Sequence, residues 1–228
     1  MQIENYVYKT FFPSIFIFKI LVLSTLSAFF ICKLCNQPFI NPKIYNNQSY
    51  IADKVNTIVD VGKGVIVNYN IVYFALSQYY LYSTSSSPSY TPTPYETTQR
   101  LLNSAQFVCI MEFIAYWYHR YSHEIKAIYK NSHKDHHINI QVYPIDFLEF
   151  DYIDNIAQTL YINLPLYFVS MHIHDYALIY YIYATSAFLI HSPLITNHHI
   201  IHHQYFKCNY SLLFPIFDIL FGTYVGHH

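Results

Sequence analysis

The stretch HRYSHEIKAIYKNSHKDHH, residues 119–137, carries five histidines in two groups: His119 and His123 as HxxxH, then His133, His136 and His137 as HxxHH. A second HxxHH follows at His199, His202 and His203. Residues three and four apart share one face of a helix, so each group is expected to present its rings in one direction from a helical segment. Neutral imidazole is the commonest metal ligand among side chains. Eight such rings exceed a closed four-coordinate zinc and match two ions held between facing helices. A single HxxHH arises by chance in roughly one chain in twenty of this histidine content; two copies beside an HxxxH are expected in under ~1%.

Apolar runs surround the histidine groups. The chain is 54% hydrophobic and only 11% charged, where soluble domains carry about 25% charged residues, so its composition is that of a membrane protein or of a very deeply buried chain. Residues 11–31 form a run interrupted by Pro13 and Lys19, long enough as a helix to cross about 30 Å of hydrocarbon. Small residues suited to cleavage do not follow it, so a retained anchor is expected rather than a signal peptide. Lys19 is expected to snorkel or to face a neighbouring helix. Residues 32–64 read as a polar connector, 65–82 as a second apolar stretch and 83–98, rich in Ser and Pro, as a loop. Residues 101–118 form a third stretch, which contains Glu112 and runs straight into His119. Residues 156–173, with Pro165, and 176–196 read as an antiparallel pair of spans ahead of the last triplet.

The expected fold is therefore all-α: a multi-pass membrane helical bundle with a histidine-rich metal-binding cap. Residues 1–100 would supply N-terminal membrane helices and linkers, and 101–228 the histidine-bearing domain. Arg120, Lys126, Lys130 and Lys134 surround the first two groups, and positive residues beside spans favour the cytosolic side, so the cap is expected there.

Other chemistries find little support. Four cysteines make no disulfide framework, and the lone CxxC of Cys32 and Cys35 is a weak metal or redox signal. With four glycines in all, a dinucleotide fingerprint is absent, so reducing equivalents are expected from a partner protein. A net charge of −1 gives no basic patch for nucleic acid. An all-imidazole site suits zinc, copper, nickel or iron, and spacing does not choose among them.

In order along the chain, HRYSH, HKDHH, YPID, HHIIHH, KCNYS and FDILFGTY resemble the fatty acid hydroxylase/sterol desaturase superfamily, and within it most the C-5 sterol desaturase (lathosterol oxidase) branch. The likeness covers roughly residues 101–225. It implies a non-haem di-iron centre of two Fe ions, O2 as oxidant, a cytochrome b5-type electron donor and residence in the endoplasmic reticulum membrane. It makes His119, His123, His133, His136, His137, His199, His202 and His203 iron ligands and adds His191 as a ninth, with His174 as its rival. The implied reaction is desaturation or hydroxylation of a lipid, a sterol first. The alternatives are a fatty-acid or sphingolipid hydroxylase, or a non-catalytic zinc-binding membrane protein.

The chain departs from the branch pattern at Tyr143, where His usually stands, at Ser211 for Gly and at Ile219 for Arg, and its segment from His191 to His199 is shorter. Because ligand histidines usually have their second ring nitrogen held by a carboxylate or carbonyl, Asp146, Asp135, Asp218 and Glu149 are the expected supports, Asp146 first. His198 is expected to face away, and His172 and His174 to lie at the membrane interface.

Overall fold

The computed structural model describes residues 2–43, 49, 51, 52, 54–57, 59, 60, 63, 64, 81, 82 and 93–226. These are mostly helical. The longest helix, α1 (Gln2–Leu34), buries Ile17, Ile20, Ser24, Ala28 and Cys32, a stripe repeating every three to four residues. Three of the five are small, which lets a neighbouring backbone approach closely. That neighbour is α4 (Ile173–Leu189): the Ser24 hydroxyl donates to the Tyr181 carbonyl at 3.3 Å, and Ser27 meets the Tyr181 hydroxyl at 2.7 Å.

The opposite face of α1 exposes Phe18, Val22, Leu23, Leu26, Phe29 and Phe30. Among the described residues one helical segment, Ile17–Leu34, is long and apolar enough to cross a bilayer. Lys19 lies on its exposed face, near its N-terminal end.

Two of the other expected spans take a different form. Residues 156–173 do not make one helix. They divide into α3 (Tyr152–Asn163), a 3-10 turn at Leu164–Tyr167 and the strand β2 (Met171–His172). Pro165 removes a backbone donor at the break, and the twelve residues of α3 reach only about 18 Å. Helix α4, with 17 residues, reaches about 26 Å. Of the stretch 65–82, only the strand β1 (Leu81–Tyr82) is described; it pairs in parallel with β2. Residues 65–80 lie outside the described residues, as do 83–92 of the expected loop.

Helix α2 (Pro94–Glu124) starts earlier than the apolar pattern suggests. Thr93 caps it: its hydroxyl accepts from the Glu96 amide at 3.3 Å, and the Glu96 carboxylate accepts from the Thr93 amide at 2.8 Å. This reciprocal box, with Pro94 in the first turn, explains why residues 94–98 are helix rather than loop. The buried stripe of α2 runs Phe107, Met111, Ala115, His119 and Ser122, so the turns that pack the core also carry the first histidine inward. Arg100 clamps α2 to α4 through a two-pronged pair with Asp175, at 2.7 and 2.6 Å.

Between α2 and α3 come a helical turn (Lys126–Ile128), a π-helical segment (Tyr129–His133) and a 3-10 turn (Pro144–Leu148). Beyond α4 lie α5 (His198–Tyr205) and α6 (Ile216–Leu220). The core joins α1, α2, α3 and α4 around Phe107, Met111, Tyr161, Tyr176, Tyr183 and Phe188. The histidine groups lie where the C-terminal end of α2, the π-helical segment, the end of α4 and α5 converge.

Candidate metal centre

The structure gathers the nine imidazoles into two adjoining clusters. His119, His123, His133, His137 and His202 form one; His136, His191, His199 and His203 form the other. Within each, one nitrogen per ring lies within 4.8 Å of all the rest. Imidazoles bind zinc-like ions at about 2.0–2.1 Å, which puts opposed ligands about 4.2 Å apart, so each cluster has the dimensions of a shared ion.

Local structure explains the sorting. His119 and His123, one turn apart on the last turns of α2, face the same way. The two triplets do not, contrary to the reading from spacing. In α5, His199 and His203 point into one cluster and His202 into the other. In the first triplet, His133 ends the π-helical segment and His136 and His137 sit in the turn after it. The Lys134 amide bonds back to the Tyr129 carbonyl at 2.9 Å, the wider spacing of a π-turn. His133 and His137 join one cluster and His136 the other, the same division by spacing that the α5 triplet shows without a π-turn; π-bulges occur frequently at functional sites.

Hydrogen bonds decide which nitrogen is bare. Nδ1 of His119 meets the Tyr210 carbonyl at 2.7 Å, that of His136 the Glu149 carbonyl at 3.1 Å, that of His191 the Ala187 carbonyl at 2.8 Å, and that of His202 the Cys208 carbonyl at 2.7 Å. A carbonyl only accepts, so each Nδ1 carries the proton and each Nε2 presents a lone pair. Burial pushes His133, His136, His199, His202 and His203 well below the ordinary imidazole range, which keeps them neutral.

The Nε2 atoms of His136 and His191 nevertheless face each other at 3.5 Å. Two lone pairs in that arrangement repel unless an electrophile lies between or beside them. Buried nitrogens without a hydrogen-bond partner among the described residues add to the case: His119 Nε2, His123 Nε2, His137 Nδ1, His199 Nδ1 and both nitrogens of His203. The donor set fits a pair of transition-metal ions and contains no carboxylate.

The supports differ in part from those expected. Asp154, not singled out from the sequence, meets His133 Nδ1 at 2.9 Å and also accepts from the Tyr118 hydroxyl. Burial raises its carboxyl to about 7, and the Tyr118 bond opposes that rise. The buried face of α3 is mixed, with Asn155, Thr159 and Asn163 beside Tyr161 and Ile162, so an acid there does not stand out in the sequence. Asp135 is exposed and none of its atoms bonds a ring.

Asp146 and Asp218 act at one remove. Asp146 accepts from the Tyr143 amide at 2.8 Å and from Lys54 at 2.7 Å, and Glu149 accepts from the same ammonium. This fixes the 3-10 turn whose end, the Glu149 carbonyl, orients His136. Asp218 accepts from the amides of Tyr210 and Ser211 at 2.7 and 2.8 Å and from the Thr223 hydroxyl, holding the Tyr210 carbonyl against His119. Lys54, 92 residues from Asp146, carried no sequence signal; against the lowering effect of burial, Asp146 and Glu149 hold its ammonium above the ordinary value.

His198 turns away from both clusters, with Nε2 on the Ser211 carbonyl at 3.1 Å. His172 caps the N-terminus of α4 and His174 is exposed, so neither joins a cluster.

A small cavity of about 50 Å3 adjoins the rings of His119, His136, His191 and His199 and is walled mainly by Phe147, Tyr161, Tyr183, Ala187 and Leu212, with Asp154 and Gln158 also at its edge. The centre thus opens on an apolar chamber.

The fatty acid hydroxylase family model matches residues 104–223. Protein CER1-like 2 of Arabidopsis thaliana is 28% identical over 203 residues, covering 78% of this chain and 31% of its own. A Delta(7)-sterol 5(6)-desaturase of Gibberella zeae is 31% identical over 121 residues (48% of this chain, 37% of its own). A Delta(7)-sterol-C5(6)-desaturase of Nicotiana tabacum is 31% identical over 134 residues (54% and 49%). The chain therefore spans a third to a half of the length of these relatives. No solved structure matches it.

Proposed function

The chain belongs to the fatty acid hydroxylase family, and from that membership we propose that it is a membrane-bound, non-haem di-iron oxidoreductase that uses O2 to desaturate or hydroxylate a lipid, a sterol before other lipids. The observation that carries the proposal is the pair of all-imidazole clusters, their bare Nε2 atoms turned on one another beside an apolar chamber. His119, His123, His133, His137 and His202 would hold one iron and His136, His191, His199 and His203 the other, and with O2 such a pair would provide the oxidising power needed for an unactivated C–H bond.

The protein's own part is to position and to exclude. Carbonyls of Glu149, Ala187, Cys208 and Tyr210 fix the ring tautomers, and Asp154, Asp146 and Asp218 secure the segments that bear those rings. Phe147, Tyr183, Ala187 and Leu212 leave room beside the rings for a hydrocarbon segment and little water. A sterol is favoured because two of the relatives above are named as sterol desaturases and because the PID stretch, Pro144–Asp146, resembles the sterol desaturase pattern. A fatty-acid or sphingolipid hydroxylase remains the second reading, on the fatty acid hydroxylase family model that matches residues 104–223.

The same reading places the chain in the endoplasmic reticulum membrane, multi-pass, with residues 1–100 as N-terminal anchor and 101–228 as the working domain. Arg120, Lys126, Lys130 and Lys134 support a cytosolic histidine face, where a cytochrome b5-type donor would deliver electrons. Metal analysis of the purified chain tests the core of this: about two irons per chain are expected, whereas one zinc points to the non-catalytic alternative. Sterol and fatty-acid profiles of cells with and without the chain then identify the substrate, and two unchanged profiles reject lipid oxidation.

A further inference from the structure

Glu112 sits two helical turns before His119 on the same stripe of α2, only 3% exposed. Its Oε2 accepts from the Leu213 amide at 3.3 Å and the amides of Leu212 and Phe214 also face the carboxyl group, while Oε1 is buried with no well-aligned hydrogen-bond partner among the described residues. An unsatisfied buried acceptor is costly, and nothing in the metal centre uses this one. Glu112 lines a groove of about 530 Å3 between α2, α4 and residues 213–217, whose other walls include Val108, Ile179, Ile182, Phe214 and Phe217. That is the size of a small-molecule site. Ile182, Phe214 and Ile216 are exposed at its mouth, so it opens outward on an apolar surface. Tyr183 lines both this groove and the small chamber beside the histidines.

We propose that this groove binds a neutral, hydroxyl-bearing lipid, with the hydroxyl on Glu112 Oε1 and the hydrocarbon along Val108, Ile179, Ile182 and Phe214. A hydroxyl group donates to a carboxylate and accepts from a carboxylic acid, so it satisfies Glu112 in either state; a carboxylate headgroup satisfies only the protonated acid. Seven residues of helix separate Glu112 from His119, about 10.5 Å along the axis. Tyr183, which lines both spaces, stands between the groove and the chamber beside the histidines. The assignment rests on the lipid-oxidoreductase reading for its purpose, though not for its test.

The test is equilibrium binding of tritiated 1-hexadecanol and tritiated hexadecyl methyl ether to the full chain in nanodiscs, after metal removal. The alcohol is expected to bind about tenfold more tightly than the ether, a difference of about 1.4 kcal/mol. Glu112→Leu should reduce that preference to less than twofold, and Glu112→Gln should keep most of it. Ile182→Trp, on the exposed wall, should weaken both ligands together and serves if Glu112→Leu fails to fold. Displacement by unlabelled cholesterol marks a sterol-type occupant, and displacement by 1-octadecanol alone a straight-chain one; both uphold the site. Equal affinity for alcohol and ether in the unaltered chain, or an unchanged preference in Glu112→Leu, overturns it. A chain that passes this test yet oxidises no lipid would refute the activity and leave the site standing.

Discussion

The Nε2 atoms of His137 and His202 stand 3.1 Å apart, although 65 residues separate the two in the chain. His137 comes from the turn after the π-helical segment and His202 from α5, so this contact joins the two halves of the histidine region. His202 is wholly buried, and its Nδ1–H is committed to the Cys208 carbonyl.

Replacing His202 or His136 with Ala is therefore expected to abolish turnover and lower bound metal, since each removes one ring from a different cluster. Membrane insertion should be unaffected, because neither residue belongs to the apolar helix α1. Metal content and activity of the two variants, compared at equal membrane abundance, check this. Retained turnover in either would contradict the ligand assignment.

Asp154→Asn keeps the shape of the side chain and removes its charge. Outer supports of ligand histidines typically contribute 10–100-fold in metal affinity or activity, so a loss of about tenfold is expected in metal affinity. Competition against a chelator measures it. An unchanged affinity would mean that His133 does not depend on this carboxylate.

Lys54→Met leaves Asp146 and Glu149 without the ammonium that serves both. Breaking a buried pair from one side costs about 3–5 kcal/mol, with the lower end expected because the Glu149 side chain is 21% exposed. A fall in the thermal midpoint should be accompanied by weaker metal binding, because the Glu149 carbonyl that orients His136 loses its anchor. A variant as stable as the original would sink this account.

The metal-free chain should lose stability on acidification. His133, His136, His199, His202 and His203 have folded pKa values pushed below their ordinary one by burial. Between the folded value and about 6.5 the unfolded chain binds more protons than the folded one. Stability is thus fully present above about pH 6.5 and drains away below it. Thermal unfolding in detergent after chelation, from pH 8 down to pH 5, should show a midpoint falling at the acid end; a flat profile would be evidence against these rings being buried and neutral.

Much of this was legible in the sequence. The three histidine groups named the residues that converge, because ligand chemistry leaves its mark as residue type and spacing. Their division between two clusters was not legible. In each triplet the i and i+4 rings join one cluster and the i+3 ring the other, and which cluster receives which depends on how the two segments pack, which has no compositional signature. Asp154 sits among Asn155, Thr159 and Asn163 on a mixed buried face of α3 and does not stand out there, and the partnership of Lys54 with Asp146 bridges 92 residues of chain and has no local trace. The spans were overcalled at residues 156–173, where apolar composition persists through Pro165 while the backbone turns. The start of α2 was missed because the Ser- and Pro-rich composition around it masked a capping box.

Because each HxxHH motif sends rings to both clusters, the two motifs form one indivisible lattice. Loops between them can lengthen or shrink, as the abridged His191–His199 segment illustrates. An insertion or deletion of one residue inside either motif would misdirect rings at both clusters together. Length variation within this chain's lineage is therefore expected to fall between the motifs and to spare their interiors.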